Sequence, residues 1–441
     1  MQGVRKSAKI RVDRSRRYQT IDGFGVNINA KCWAEGAIQP VVNLLIDDLG
    51  ATLFRLDGYG RADWVDPDGS LGREQALSER NYERVYASRD FQNALGMARY
   101  LNERGIDPYI TVSGRAPAWM CAADGKTLVD YDGFAEMTVH YAAWLRKNGV
   151  RFTLFGPLNE TDLGPPEGPL VSPASYVKAC EALVDALDRH ALKDVKLVVA
   201  EQAQFNTKYV DQLLTCEKLA GRIGVLAMHA YSDFHVDPLT SRISLPEYRH
   251  IRAWMTEFGD LRQSTELEEQ IAWVSMERLM RLLEDGMNGA LSWDAYDNYH
   301  DHDEAWTCFG LIMNAWDVFT PKKRYYTLKH IYRFVRAGYT RIEAVCSEAD
   351  IPVLAFEGED GKVLTVVGMN PGEQTVALDL DLGYHGEASS LAYLDYEVYR
   401  TCSFEDCARV TTPIVKLKNH ASLGVEFMAL PGSIFTITNL K

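Results

Sequence analysis

FTLFGPLNE at residues 152–160 and IRAWMTEFG at residues 251–259 are short apolar runs that each lead into a glutamate, Glu160 in the first and Glu257 in the second. Their brevity, and the glycine or proline that bounds them, mark them as buried strands rather than helices. Six further runs of the same kind lie at residues 21–28, 52–56, 108–112, 195–200, 224–229 and 289–293. Between them run helix-patterned stretches, including residues 91–102 after Asp90, 134–147, 173–190 and 266–284. Gly or Asn follows several of these stretches, as connections from helix to strand prefer. Strand and helix alternate in this way from about residue 21 to 336, which predicts an α/β chain folded as a (β/α)8 TIM barrel with enlarged loops. A doubly wound open sheet is the second choice, but no G-x-G-x-x-G follows the first run to support a nucleotide site.

Past residue 336 the pattern changes. IPVLAFEGEDGKVLTVVGMNPGEQTVALDLDL, LAYLDYEVYRT, VKLKN and SIFTITNL alternate apolar and polar positions, with Glu-Asp-Gly and Asn-Pro-Gly at turns. This predicts an antiparallel β-sandwich side domain. The expected division is a catalytic barrel at 21–336 and a sandwich made of 337–441 together with 1–20, whose AKIRVD reads as a strand. No repeat or low-complexity tract suggests a flexible linker.

The chain of 441 residues, 46% hydrophobic, is long enough for two such cores. Its 61 acidic against 47 basic residues leave a formal charge of −14, which repels phosphate backbones and argues against a nucleic-acid partner. Nine Trp and 22 Tyr offer flat faces on which sugar rings stack, although ordinary core packing uses the same residues. The eight cysteines form no C-x-x-C pair, so they read as mostly reduced and buried thiols. The N-terminus MQGVRKSAKIRVD lacks an apolar h-region, and no apolar run nears the roughly 18 residues that span a bilayer. No membrane partner is expected, and a cytoplasmic location is, or a secreted one if a signal peptide has been removed.

Residues at the C-terminal ends of barrel strands face the active site. Glu160 ends the fourth run and Glu257 the seventh, three strands apart in a ring of eight, so their carboxyls can converge across the mouth. Retaining glycosidases need two carboxyls about 5–5.5 Å apart, one protonated and one ionised. A salt bridge at a strand end is the better reading for either glutamate alone. Their matched positions favour chemistry.

The segments around these glutamates, Leu158-Asn159-Glu160 and Met255-Thr256-Glu257-Phe258-Gly259, resemble the acid/base and nucleophile signatures of clan A glycoside hydrolases. QTIDGFG at 19–25, APAWM at 116–120, HAY at 229–231 and RYYTLKHIYRFVRAGYTRI at 324–342 resemble glycoside hydrolase family 30 in particular. The likeness runs in order through nearly the whole chain. It implies Glu160 as acid/base, Glu257 as nucleophile and Asn159 as donor to the sugar 2-hydroxyl, whose hydrogen bond strengthens in the transition state. It further implies that Arg55 bonds Glu257 and keeps it ionised, since a nearby cation lowers a carboxyl pKa. His229 and Tyr231 would orient the same carboxylate or the sugar, Trp293 would floor the subsite of the cleaved sugar, and Trp119 would wall it. The chain departs from the family where Thr161, rather than proline, follows the acid/base, and in the loops SGRAPAWM and YGRADWVD.

Each role has a plainer rival: a salt bridge at the edge of the core for Arg55, a satisfied buried histidine for His229, ordinary packing for Trp293 and Trp119. The run Tyr299-His300-Asp301-His302-Asp303-Glu304 has metal-capable side chains, but such a loop is more often solvated or substrate-facing than a closed metal site. Retaining glycosidase chemistry needs neither metal nor cofactor, and none is expected. Asn159-Glu160-Thr161 matches a glycosylation sequon, yet modification there would block the proposed centre. The absence of G-x-S-x-G argues against an esterase, and no strand end carries the lysine or metal set of a barrel lyase or aldolase. The resulting expectation is a retaining β-glycosidase acting on β-linked carbohydrate with a galactose-, glucose-, xylose- or fucose-type glycone. Asp57, Asp63, Asp66 and Asp162 favour a neutral sugar over a uronate. The rival from another class is a non-catalytic carbohydrate-binding barrel.

Overall fold

The computed structural model describes residues 6–57, 63–204, 206–301, 303–316, 318–383, 395–411, 414–418 and 422–440. Residues 59–62 of the YGRADWVD loop, His302 of the histidine and aspartate run, residues 391–394 of LAYLDYEVYRT and Asn419 of VKLKN lie outside the described residues. The first strand, β1 (Lys6–Thr20), belongs to the side sheet. The next eight are β2 (Gly23–Asn29), β3 (Leu53–Asp57), β4 (Tyr109–Thr111), β5 (Leu154–Gly156), β6 (Lys196–Val199), β7 (Ile223–Ala230), β8 (Arg252–Phe258) and β9 (Gly289–Ser292), and they close into one barrel. All eight pair in parallel, β9 returning to β2. Each overlaps one of the eight apolar runs. The helix expected after Asp90 spans Arg89–Glu103, so Asp90 sits inside its first turn, where a carboxylate favours the helix dipole, rather than ahead of it.

Side-chain alternation decides what reaches the mouth. Tyr109, Val198, Val225, Ala227, Trp254 and Leu291 pack together as a small cluster within the barrel, with Leu53 and Leu154 against them. Two residues further along a strand, a side chain returns to the same face. Leu53 is thus followed inward by Arg55, Ala227 by His229, and Leu291 by Trp293. Strand β8 breaks this rhythm: Met228 pairs with Met255 but His229 pairs with Glu257, which leaves Thr256 as one extra residue. Such a bulge re-aims the side chains beyond it. Glu257 thereby takes the inward position that strict alternation from Trp254 would give to Thr256.

After β9, two hairpins enlarge the loop: β10 (Asn298–His300) with β11 (Ala305–Thr307), and β12 (Ile312–Ala315) with β13 (Val318–Pro321). The side domain adds β14 (Thr340–Cys346), β15 (Val353–Glu357), β16 (Leu364–Asn370), β17 (Val376–Asp381), β18 (Glu397–Cys402), β19 (Glu405–Val410), β20 (Ile414–Lys418), β21 (Ser422–Ala429) and β22 (Ser433–Thr438). With β1 they form one sheet, ordered β19-β18-β22-β16-β15-β14-β1-β17-β21-β20. All pairings are antiparallel except that of β1 with β17. This mixed, sandwich-like sheet has its own apolar core, in which Ile10, Val12, Ile342, Val366, Leu378 and Phe435 pack together. The Asp-Gly turn between β15 and β16 places Gly361 at φ +68°, a conformation glycine adopts without strain.

The helix Lys323–Tyr332 joins the two units. Its buried His330 lies 2.7 Å through Nδ1 from the Thr436 hydroxyl and 2.9 Å through Nε2 from the Thr401 hydroxyl, both on the side sheet. All eight cysteines are free thiols, as the absence of C-x-x-C predicts. Only Cys180 and Cys402 are buried; the other six are partly exposed, so the expectation of mostly buried cysteines is corrected. No helix among the described residues is long and apolar enough to cross a membrane.

Candidate active site

Glu160 and Glu257 meet at His229. The Nδ1 of His229 is 2.7 Å from Glu160 Oε1 and 3.4 Å from Glu257 Oε2. One carboxylate oxygen from each glutamate and one histidine nitrogen all lie within 4.8 Å of one another. Arg55 donates from Nη1 to Glu257 Oε1 at 2.5 Å, and the Tyr231 hydroxyl donates to Oε2 at 2.5 Å. The same guanidinium reaches Asn27 Oδ1 at 2.8 Å and Asn159 Oδ1 at 2.7 Å. Asn159 donates from Nδ2 to the backbone oxygen of Glu167 at 3.0 Å. Arg55, Asn159, Glu160, His229, Tyr231 and Glu257 are therefore brought together, from the ends of four strands.

Glu160 itself has φ +40°, a left-handed backbone that costs a non-glycine residue about 1–3 kcal/mol. Its N–H donates to the carbonyl of Glu201 at 2.8 Å and its carbonyl accepts from Leu163 N–H at 3.0 Å. The chain after β5 is thus held in an unfavourable turn that lifts Glu160 into the mouth.

Sequence reading missed four participants. Glu201 follows β6 and is 1% exposed, with its carboxylate 3.3 Å from Arg55 Nε, 2.6 Å from the Tyr109 hydroxyl and 3.9 Å from His229 Nε2. The apolar run at 195–200 stops one residue short of it, so the strand-end rule that found Glu160 and Glu257 also applies to Glu201. Asn27 and Tyr109 point inward from β2 and β4, and nothing in an isolated NIN or PYI announces that. Glu167 lies in a loop brought back over the site: its backbone carbonyl accepts from Gly114 N–H at 2.8 Å as well as from Asn159. Gly168 permits this approach, since a Cβ there would lie 1.8 Å from the Asn159 carbonyl oxygen.

The charges follow from burial and neighbours. Burial alone would push the His229 imidazole down, but Glu257, Glu160 and Glu201 outweigh it and push it up to about 10. Burial pushes the Glu257 carboxyl up, with His229 and Arg55 opposing, and the net direction is upward. Arg55 therefore does not hold Glu257 below the ordinary carboxyl range; it offsets part of the desolvation. Burial also acts on Glu201, but Arg55, His229 and Tyr109 prevail and hold it below the usual value. Glu167 is pushed up to about 8 by burial and by the charges of Glu160, Glu257 and Asp303.

Trp293 follows β9, half-buried, with its ring 5.2 Å from the ring of His300 in an edge-on arrangement and its backbone N–H donating to the Phe258 carbonyl at 2.9 Å. His300 in turn lies 3.0 Å from Asp294 Oδ2, which orients the loop beneath the indole. Trp119, in the short helical turn Ala118–Met120, packs against the barrel core with its indole N–H buried and without a hydrogen-bond partner. The four aspartates, of which Asp57 ends β3 rather than lying in a loop, are engaged within the protein. Asp57 accepts from Ser113, Asp66 from Leu71 N–H and Asp162 from Ala203 N–H, while Asp63 faces Arg115 at 3.7 Å.

Two groups among the described residues have metal-ligand geometry: Glu160 with His229 and Glu257, and the more exposed His235 with Asp237 and Asp285. In the first, carboxylates face both ring nitrogens of His229, and an imidazolium has no lone pair to offer a metal.

No family model matches the sequence, and no match is found among curated proteins. Solved structures do match. A glycoside hydrolase family 30 subfamily 8 xylanase from Clostridium acetobutylicum superposes with a TM-score of 0.72 at 16% identity, covering 98% of this chain and 99% of that one. The catalytic domain of family 30 xylanase C from Talaromyces cellulolyticus gives 0.72 at 17% identity, with 98% and 99% covered. An α-L-arabinofuranosidase from Thermotoga maritima gives 0.62 at 15% identity over 98% and 99%. At these identities the likeness is one of fold, and it extends over both units: the chain has the barrel-and-side-sheet fold of the family 30 glycoside hydrolases.

Proposed function

We propose that this chain is a retaining β-glycosidase with Glu257 as nucleophile and Glu160 as acid/base. The observation that carries the reading is the convergence of these two carboxylates on His229, with oxygens within 4.8 Å of each other. Carboxyls whose nearest oxygens come this close favour direct attack by one of them, since an inverting pair keeps roughly 6.5–9.5 Å between its carboxyls to admit a water.

In the first step a Glu257 oxygen attacks the anomeric carbon while Glu160 gives its proton to the departing glycosidic oxygen. The sugar is left joined to Glu257 through an ester-type bond. Glu160, now ionised, takes a proton from water, whose oxygen attacks the anomeric carbon and releases Glu257 as carboxylate. Arg55 and Tyr231 hold the two Glu257 oxygens and limit its rotation. Asn159, fixed by Arg55 through its oxygen and by the Glu167 carbonyl through one amide hydrogen, keeps its second amide hydrogen for a sugar 2-hydroxyl. Trp293 offers a stacking face beside the cleaved sugar, and Trp119 a wall further out.

The barrel needs no metal or cofactor for these steps. A neutral sugar suits a mouth that already holds the Glu160 and Glu257 carboxyls, since a uronate would add like charge. The fold likeness to xylanases supports a polysaccharide or oligosaccharide with xylose among the candidate glycones, beside galactose, glucose and fucose. Incubation with a panel of p-nitrophenyl β-glycosides and β-linked oligosaccharides, with the anomeric product followed by proton NMR, tests this. The β-anomer formed first supports retention; the α-anomer first would overturn it, and binding without turnover would favour a carbohydrate-binding barrel.

A further inference from the structure

Glu201 is a buried carboxylate that the double-displacement steps do not use. It stands at the floor of the site, away from where a sugar would lie, with its carboxylate facing Arg55 Nε at 3.3 Å and His229 Nε2 at 3.9 Å and accepting from Tyr109 at 2.6 Å. On the other side of the imidazole, Nδ1 faces Glu160 at 2.7 Å and Glu257 at 3.4 Å. A neutral imidazole has one N–H donor and one acceptor, and an acceptor aimed at a carboxylate is repelled by it. Carboxyl groups on both sides of the ring favour the imidazolium, with Nδ1 hydrogen-bonded to Glu160 and Nε2 drawn by charge to Glu201 across 3.9 Å.

We propose that Glu201 is a positioning residue that keeps His229 in its imidazolium form between the two catalytic glutamates. The groups facing the cluster from each element are Arg55 on β3, with Asp57 further along that strand, Tyr109 on β4, Glu160 after β5, His229 on β7 with Tyr231 after it, Glu257 on β8, and Glu167 from the loop above. Tyr176, from the helix behind β6, also senses Glu201. Arg55 and His229 in turn hold Glu201 ionised, so the carboxylate and the imidazolium sustain one another.

The role of His229 beside a catalytic pair rests on the glycosidase reading, whereas its charge state does not, so the test begins with the histidine. Nitrogen-15 NMR of histidine-labelled protein, with the His229 resonances assigned by their loss in His229→Gln, reads the imidazole directly in the wild type and in Glu201→Gln. The wild type is expected to show both ring nitrogens protonated at pH 8, and Glu201→Gln to bring the titration midpoint down by about one pH unit or more, as loss of a facing carboxylate does. If Glu201→Gln does not fold, the wild-type spectrum still decides, because a neutral His229 at pH 8 would overturn the proposal. An identical titration in the two proteins would also overturn it. A chain that hydrolyses nothing would refute the glycosidase reading while leaving the His229 comparison decisive for this one.

Discussion

His229 Nδ1 lies 2.7 Å from Glu160 and 3.4 Å from Glu257, so one imidazole spans the two carboxylates that the fourth and seventh barrel strands deliver. Neither strand brings this about alone. Strand β7 supplies the histidine by regular alternation, and β8 supplies Glu257 only because Thr256 is an extra residue in its register. The site is consequently sensitive to what holds the three groups in place.

Arg55 is the main fastening. Its guanidinium engages Asn27, Asn159 and Glu257 at once and lies beside Glu201. A lysine ammonium is a single point and cannot reproduce that fork. Arg55→Lys should lower kcat by about 100-fold or more while KM changes little, since the loss is of carboxylate orientation rather than sugar contact. Steady-state kinetics on the preferred glycoside checks this, and a change confined to KM would contradict it.

Trp293 should behave differently. Its half-buried indole stands beside His300 at the mouth, and its proposed contribution is stacking on the sugar. Trp293→Ala should raise KM by roughly tenfold, as loss of about 1.4 kcal/mol of binding does, with kcat falling less. Trp293→Tyr should recover most of the loss. A failure of Tyr to recover it would point to packing instead.

Glu167 gives the site a pH dependence of its own. Burial and the charges of Glu160, Glu257 and Asp303 push it up to about 8, so it ionises above that pH and adds a negative charge beside the reacting pair. Wild-type kcat/KM should decline as pH rises through about 8, and Glu167→Gln should move that decline to higher pH. The pH profiles of the two proteins decide it, and superimposable declines would contradict the assignment.

The joint between barrel and side sheet makes a separate prediction about stability. His330 is buried and neutral between Thr436 and Thr401, and its imidazole is pushed down to about 3 by burial and by Lys329. In the unfolded chain the same group titrates near ~6.5, so on acidification the unfolded state binds the extra proton first. Its stabilising effect is therefore complete above about pH 6.5 and is lost as pH falls toward 3. His330→Gln should cost about 1–3 kcal/mol at pH 7.5 and flatten the pH dependence of unfolding between about 6 and 4. Urea titrations at several pH values test both effects, and an unaltered slope would contradict the second.

Much of this was legible in the sequence because it depends on local pattern. The eight strands follow from short apolar runs, and Arg55, Glu160, His229, Glu257 and Trp293 from their positions at strand ends. What was hidden depends on partners far along the chain. The extra residue in β8 appears only when its register against β7 is known. Glu167 reaches the site because Gly168 lets a loop pass close to Asn159, and no pattern within PPEGP encodes that return. Asp57, Asp63, Asp66 and Asp162 looked like a field around the substrate, but each satisfies a nearby backbone or side-chain group.

The most direct measurement is hydrolysis of an activated β-glycoside by Glu257→Ala and Glu160→Ala, each with and without azide. Removal of the nucleophile should abolish turnover, and azide should restore it in Glu257→Ala by entering the vacated face to give the α-glycosyl azide. In Glu160→Ala azide should intercept the covalent intermediate and give the β-glycosyl azide. Undiminished turnover in Glu257→Ala, or the same azide anomer from both variants, would contradict a double displacement with Glu257 as nucleophile and Glu160 as acid/base.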